Sequence, residues 1–218
     1  VEGAAARCLE EVFLQDWEIE TGTGAEPSPL GPPPDPATAI QFVPSGPQEY
    51  DETVHQVLLA AIYSASDEIC LTSPYFVPDE STLNALRSAA LRGVRVTIVL
   101  PAKCDSVLVR FASAATFARL LDVGVRIIRY ERGLLHTKSV TIDRRFSLLG
   151  SVNLDMRSIW LNSEITALVY DESFGRELRD LQESYIASGR PVESGEWSRR
   201  GRRQRIGEAI ARLASPVL

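Results

Sequence analysis

From Ala39 onward the chain keeps switching between two hydrophobic periods, and this switching constrains its fold more than any other feature. Val94–Leu100 (VRVTIVL) is short, rich in β-branched residues and preceded by Gly93, which marks a buried strand. Ser106 then offers a cap to a helix through Phe111, Ala115, Ala118 and Leu121 that stops at Gly124. Earlier, Ile40–Val43 reads as a strand, Tyr50–Ala65 as a helix with Val54, Leu58, Ala61 and Ile62 on one face, and Glu68–Thr72 as a strand. Asp79 is placed to cap a helix carrying Leu83, Leu86 and Ala90 that Gly93 closes. Val125–Tyr130, Leu134–Ile142, Phe146–Leu149 and Glu164–Tyr170 continue as strands, and Glu172 to about Ala187 as a helix. Strands interleaved with helices predict an α/β fold, a layered α-β-α sandwich with helices over both faces of a mixed sheet. No internal repeat is present.

The flanks differ in composition. Residues 1–20 carry a short amphipathic pattern (Leu9, Val12, Phe13, Leu14, Trp17) with one arginine and six acidic residues. They read as the remnant of a preceding half or domain, since they lack partners for a core of their own, and Val1 as first residue suits a piece of a longer protein. Residues 21–38, with Pro32-Pro33-Pro34, read as a linker. Residues 39–198 form the main domain. In 199–218, Arg199, Arg200, Arg202, Arg203, Arg205 and Arg212 face a single Glu208, while Ile206, Ile210 and Leu213 share a stripe. Such a basic amphipathic helix suits either an anionic membrane surface or packing against the body.

Several chemistries are excluded early. No apolar run reaches the ~20 residues of a membrane span, and no signal-peptide pattern stands at the start. A net charge of −6 argues against non-specific nucleic-acid binding, so no nucleic-acid partner is expected. Cys8, Cys70 and Cys104 are scattered, and only His55 and His136 supply imidazole. No familiar zinc spacing results, so no metal and no cofactor is expected. The cysteines read as small buried residues in a reducing, cytoplasmic-side setting.

The chemistry concentrates in Leu134-Leu135-His136-Thr137-Lys138-Ser139-Val140-Thr141-Ile142-Asp143. On a strand, His136 and Lys138 share a face, while Asp143 has the opposite parity and is placed to brace the backbone. Polar groups amid Leu, Val and Ile need a reason, because burying unpaired charge is costly. Gly150-Ser151-Val152-Asn153 follows a strand end, where a glycine turn offers a hydroxyl, an amide and backbone N–H groups to a phosphate. Glu164 opens the next strand and can orient an imidazole. Together these make a phosphodiester-binding set: a nucleophile (His136), a cation (Lys138), neutral donors (Ser151, Asn153) and an orienting acid (Glu164). Tyr75 and Phe76 are read as pocket lining or core, Asp105 and Glu131 as pocket rim or plain turn residues. His55, in Thr53-Val54-His55-Gln56, reads as a surface residue.

His136-x-Lys138-x4-Asp143, then Gly150-Ser151-x-Asn153 and Glu164, resembles the phospholipase D superfamily, and more narrowly the C-terminal half of bacterial cardiolipin synthases. Supporting stretches are Val43-Pro44-Ser45-Gly46-Pro47, Pro74-Tyr75-Phe76-Val77-Pro78-Asp79, Asp105-Ser106, Asn153-Leu154-Asp155-x-Arg157-Ser158, Arg212-Leu213-Ala214-Ser215-Pro216-Val217-Leu218 and Phe13-x-x-Asp16-Trp17. The resemblance implies phosphatidyl transfer between phospholipids, with a phosphatidylglycerol-like substrate and no metal. It implies two facing motifs, one histidine forming a phosphohistidine and the other protonating the leaving alcohol. It also implies a parent protein at the bacterial cytoplasmic membrane. This chain holds one motif, so the partner expected is a missing N-terminal half or a second copy. In that frame His136 is nucleophile or acid/base, Lys138, Asn153 and Ser151 hold the phosphoryl group, and Glu164 fixes a histidine tautomer. Rival readings are a single-motif homodimeric phosphodiesterase or nuclease, and a non-catalytic fragment or membrane-surface module.

Overall fold

The computed structural model of the chain describes residues 1–29, 31, 38–46, 52–199, 201 and 211. The proline run 32–37 and most of the arginine-rich 199–218 segment lie outside these residues. The elements are α1 (Ala4–Thr21), β1 (Ile40–Ser45), α2 (Thr53–Ser64), β2 (Glu68–Thr72), β3 (Phe76–Val77), α3 (Glu80–Leu91), β4 (Arg95–Pro101), α4 (Val107–Leu121) and β5 (Arg126–Tyr130). They continue with β6 (Ser139–Ile142), β7 (Phe146–Gly150), β8 (Leu154–Asp155), α5 (Met156–Trp160), β9 (Glu164–Val169), α6 (Glu172–Ala187), β10 (Gly189–Pro191) and α7 (Ser194–Ser198).

One eight-stranded sheet in the order β1-β9-β7-β6-β2-β4-β5-β10 carries the molecule, and β3 pairs with β8 beside it. In the large sheet parallel pairing is confined to β2-β4 and β4-β5, whose connections run through α3 and α4, and its other pairs are antiparallel; the separate β3-β8 pair is parallel. The mixed sheet expected from the sequence is therefore present.

Strand alternation produces the layers. Ile69, Leu71, Val96, Ile98 and Ile127 join residues of α2, α3 and α4 in the main core. The intervening Cys70, Val99 and Ile128 face the other way, onto Ile186 of α6 and Leu135. Each central strand thus buries both faces, which is why it reads as a nearly unbroken apolar run. Asp79 and Ser106 cap α3 and α4 as expected: Asp79 accepts from Ser81 N and Thr82 N, and Ser106 from Val109 N. By contrast α1 buries no residue, ends on left-handed Gly22, and leaves Phe13, Trp17 and Ile19 exposed. Cys8 is exposed and Cys104 only half-buried, so of the three cysteines Cys70 alone is the buried apolar residue expected.

The turn joining β6 to β7 is the most constrained link in the sheet. Asp143 and Arg144 both have positive φ, 51° and 56°, and Arg145 N donates to Ile142 O at 3.0 Å, the backbone of a type I′ hairpin. Left-handed backbone costs a non-glycine residue energy, and here the Asp143 carboxylate offsets it. It accepts from Ser66 N, Ser66 Oγ, Asp67 N and Glu68 N at 2.8–2.9 Å. Gly175 completes the fit, because a Cβ there would stand 2.4 Å from Arg144 O.

Those hydrogen bonds hold the Asp143 carboxyl below the usual carboxylate range, against the opposing effect of its partial burial. A group whose folded pKa is depressed stabilises the fold above its unfolded pKa of about 3.9, and loses that contribution as pH falls through the folded value. Asp143→Asn is therefore expected to unfold at lower temperature than wild type at pH 7. The gap should narrow as pH is lowered toward 3, as measured by circular-dichroism melts.

Candidate active site

The phosphodiester set lies at one edge of the sheet, the carboxyl ends of β2 and β4, where ligands meet open α/β sheets. Ser139 opens β6 opposite Thr72, the last residue of β2, and opposite Leu149 of β7. His136 and Lys138 precede this pairing. Residues 134–138 lie outside β6 rather than opening the strand as expected, although Lys138 O still accepts from Gly150 N at 3.4 Å. Leu135 is buried, while His136 and Leu134 are exposed. The strand begins at Ser139 because a buried polar cluster anchors it there. Ser139 Oγ meets Thr72 Oγ1 at 2.8 Å and accepts from Gln182 Nε2 at 3.1 Å.

The two functional side chains nevertheless converge. Lys138 Nζ lies 2.9 Å from His136 Nδ1 and donates to His136 O at 3.1 Å. Nζ also lies 3.3 Å from Nε2. An ammonium only donates, so either ring nitrogen can meet it only through a lone pair, and that lone pair becomes available as a nucleophile once the ammonium turns to a phosphate oxygen. Beneath the lysine a cavity of about 40 Å³ is lined by Val54, Leu58, Leu148, Val152 and Ile159. This partial burial lowers the Lys138 pKa, and the nearby Glu164 and Asp155 charges act against the shift.

The remaining residues depart from expectation in instructive ways. Glu164 opens β9 opposite Ser45, accepts from Asn162 Nδ2 at 3.1 Å, and faces Lys138 electrostatically. The hydrogen bonds of the His136 ring among the described residues go to Lys138 rather than to Glu164. Ser151 does not present a free hydroxyl. Its N–H donates to Ile165 O and its Oγ accepts from Ile165 N, both at 3.0 Å, extending the β7-β9 ladder by one residue. Gly150 permits that approach, since a Cβ there would sit 2.1 Å from Ile165 O. Asp143 is at the opposite end of β6 from His136, in the hairpin described above.

Asn153 sits in a relay that the residue types alone did not show. Its Nδ2 donates to Ser158 Oγ at 3.0 Å, and its Oδ1 is buried without a partner among the described residues. Asp155 accepts from Ser158 N at 2.7 Å as the N-cap of α5. Burial pushes the Asp155 carboxyl above the usual range, and Glu164 adds to the shift. The signal was on the page as Asn153-Leu154-Asp155-x-Arg157-Ser158, a cap with its acceptor three residues before the N–H it binds.

His55 is not a surface residue. It is buried at 6% exposure, with Nε2 3.2 Å from Asp79 Oδ1 and from Thr82 Oγ1, and its ring lies edge-on to Trp160 at 5.0 Å. The helix position was read correctly, but the partner lay across α3, 24 residues away. These contacts, the Asp79–Ser81 bond above all after His55, hold the Asp79 carboxyl well below the usual range despite its own burial. Tyr75 donates to Asp105 at 2.8 Å, which raises its pKa to about 12, and Phe76 is core at 1% exposure. Glu131 pairs with Arg190 at 3.1 Å.

With this geometry in hand, comparisons with known proteins are informative. The family model for the cardiolipin synthase, PLD-like domain matches residues 58–185. Cardiolipin synthase A of Serratia proteamaculans is 45% identical over all of this chain and 46% of its own length. The Erwinia tasmaniensis protein of the same name is 44% identical over the same shares. The chain thus spans about half the length of the curated relatives it matches. Among solved structures, the phospholipase D family member Nuc from Salmonella typhimurium superposes with a TM-score of 0.63 at 21% identity, covering 72% of this chain and 99% of that one. Phosphatidylserine synthase of Haemophilus influenzae gives 0.66 at 15% identity over 94% of this chain and 53% of that one. Those two likenesses establish the fold, while the sequence relatives and the matched domain establish that the chain belongs to the cardiolipin synthase, phospholipase D-like family.

Proposed function

We propose that this chain is the catalytic half of a phosphatidyltransferase that forms cardiolipin from two phosphatidylglycerol-like lipids through a phosphohistidine. The observation that carries the reading is the contact between an exposed imidazole and a half-buried ammonium, 2.9 Å apart at the ligand-binding edge of the sheet. In the first step an unprotonated imidazole nitrogen, of His136 or of the facing histidine, attacks phosphorus, an N–P bond forms, and the P–O bond to the departing glycerol breaks. That glycerol oxygen takes a proton from a general acid. In the second step the hydroxyl of another lipid gives up its proton to that same group, now a base, and attacks phosphorus, and the N–P bond breaks. Lys138 offsets the charge on the phosphoryl oxygens throughout. The roles of nucleophile and general acid are interchangeable between two imidazoles, and His136 fills one of them.

The second imidazole comes from outside this chain. His55 is the only other histidine, and it is buried and held by Asp79 and Thr82. The source is the other half of a longer protein or a second copy, in line with relatives about twice as long. No helix among the described residues is long and apolar enough to cross a membrane, so on this reading the parent protein or the arginine-rich end supplies membrane attachment.

In a preparation that holds both imidazoles, as a paired chain or with the other half joined, transfer between labelled phosphatidylglycerol molecules in mixed micelles should fall at least ~100-fold in His136→Ala and in Lys138→Ala, the scale of losing a nucleophile or acid/base group. His55→Gln is expected to lower the melting temperature and leave measurable transfer. Robust turnover by a strictly monomeric preparation would overturn the need for a second imidazole. Hydrolysis of labelled DNA in place of lipid transfer would favour the nuclease reading instead. A second expectation concerns the sheet edge. Gly150→Ala should cost of order 1–3 kcal/mol in unfolding free energy, because the added methyl forces β7 and β9 apart, and should impair transfer more than stability alone explains.

A further inference from the structure

At the carboxyl ends of β4 and β5, on the face covered by α4, a second cationic pocket lies apart from His136 and Lys138. It holds about 40 Å³, several times the room one water needs. Arg110 and Arg129 line it together with Pro74, Leu100, Ser113 and Phe117. The Arg129 guanidinium lies over the rings of Phe117 at 5.9 Å and Trp197 at 5.5 Å. Arg110 lies over Phe111 at 5.4 Å. Stacking of this kind holds the plane of a guanidinium and leaves its N–H edges to donate.

Among the described residues these arginines have no counter-charge. The ion pairs formed by the described residues include neither of them. Asp105, on the adjoining loop, is engaged by the Tyr75 hydroxyl and Ser106 N–H, and Glu131 is taken by Arg190. Burial and the facing Arg110 charge both disfavour charged Arg129, yet a guanidinium stays protonated in proteins. Half-buried Arg129 and exposed Arg110 repel one another beside this pocket; an anion between them offsets that repulsion, and paired guanidinium forks match the oxygens of a phosphate.

The position is also suggestive. Ser139, Thr72, Val99 and Ile128 are successive cross-strand partners. Three inter-strand spacings, about 14 Å, therefore separate the mouth of β6 from that of β5. Both cationic sites open on one edge.

We propose that Arg110 and Arg129 form a second phosphate-binding site, separate from the His136–Lys138 pair, that takes the phosphate of a lipid headgroup or a free phosphate ion. This site does not depend on His136 being a nucleophile.

Calorimetric titration of the Lys138→Ala chain, in which the first site is disabled, isolates it. The titrants are soluble dihexanoyl-phosphatidylglycerol and, separately, inorganic phosphate. Saturable binding is expected, weakened at least tenfold by Arg110→Gln and lost in the Arg110→Gln, Arg129→Lys pair. The lysine keeps a stem to pack on Phe117 and Trp197, so the fold is retained, and near-ultraviolet circular dichroism checks it. Tighter binding of the lipid identifies a headgroup as the ligand, and equal or tighter binding of inorganic phosphate identifies free phosphate. Absence of saturable binding by both titrants overturns the proposal, as does binding that the arginine substitutions leave unchanged. Failure of lipid transfer leaves this readout untouched, so the two proposals fail separately.

Discussion

The arrangement of the active edge rests on one buried amide. Gln182 on α6 is fully buried. Its Nε2 donates to Cys70 O and Ser139 Oγ, at 3.2 and 3.1 Å, and its Oε1 accepts from Thr141 Oγ1 at 2.7 Å. One side chain thereby clamps β2 and β6 at two levels, with Thr72 closing the cluster through Ser139. Register in a sheet is set by which face each residue buries, and a slip of one residue inverts every side chain. Slipping β6 by one would pull Ser139 and Thr141 from Gln182 and leave buried polar groups unpaired, at roughly 1–3 kcal/mol each. The point where β6 begins is fixed, and so is the short segment ahead of it that carries His136 and Lys138.

That segment explains how much of the site was legible. The motif itself was readable, because an imidazole and an ammonium two positions apart inside an apolar run have few structural uses. Period-two geometry was the wrong reason for the right neighbours. Residues 136–138 are not in the sheet, and the two side chains meet because the Lys138 ammonium folds back to the His136 ring and carbonyl. A strand assignment overran because Leu135, buried against Val99 and Ile128, mimics the next apolar position of β6.

Elements of the fold were easier to read than partners across it. Asp79, Ser106, Gly93 and Gly124 mark ends by local chemistry, and local chemistry is visible in sequence. The mixed sheet followed from alternating periods. His55, Gln182 and Asp155 were missed or misjudged because their meaning lies in residues far along the chain. His55 resembles any polar position on an amphipathic helix until Asp79, Thr82 and Trp160 surround it. The sheet contact of Ser151 was hidden for the converse reason: the close approach that Gly150 allows lets its exposed hydroxyl accept from Ile165 N.

The electrostatics of the edge sharpen the proposed chemistry. Lys138 faces two carboxylates, Glu164 and Asp155, so an ammonium counted alone would not attract a phosphodiester. What matters is which charges are already spent. Asp155 is tied to Ser158 N–H and its hydroxyl and is pushed toward its neutral form, and Glu164 is engaged by the Asn162 amide. An entering phosphate adds negative charge and favours the protonated form of Asp155 further, since like charges at short range raise a carboxyl pKa. Lys138, in contact with the His136 ring and backed by an apolar cavity, is left as the cation that can turn its donors to a phosphate. In a partly desolvated pocket one such cation counts for more than the same charge in water, which is why a chain of negative net charge can still present a phosphate site.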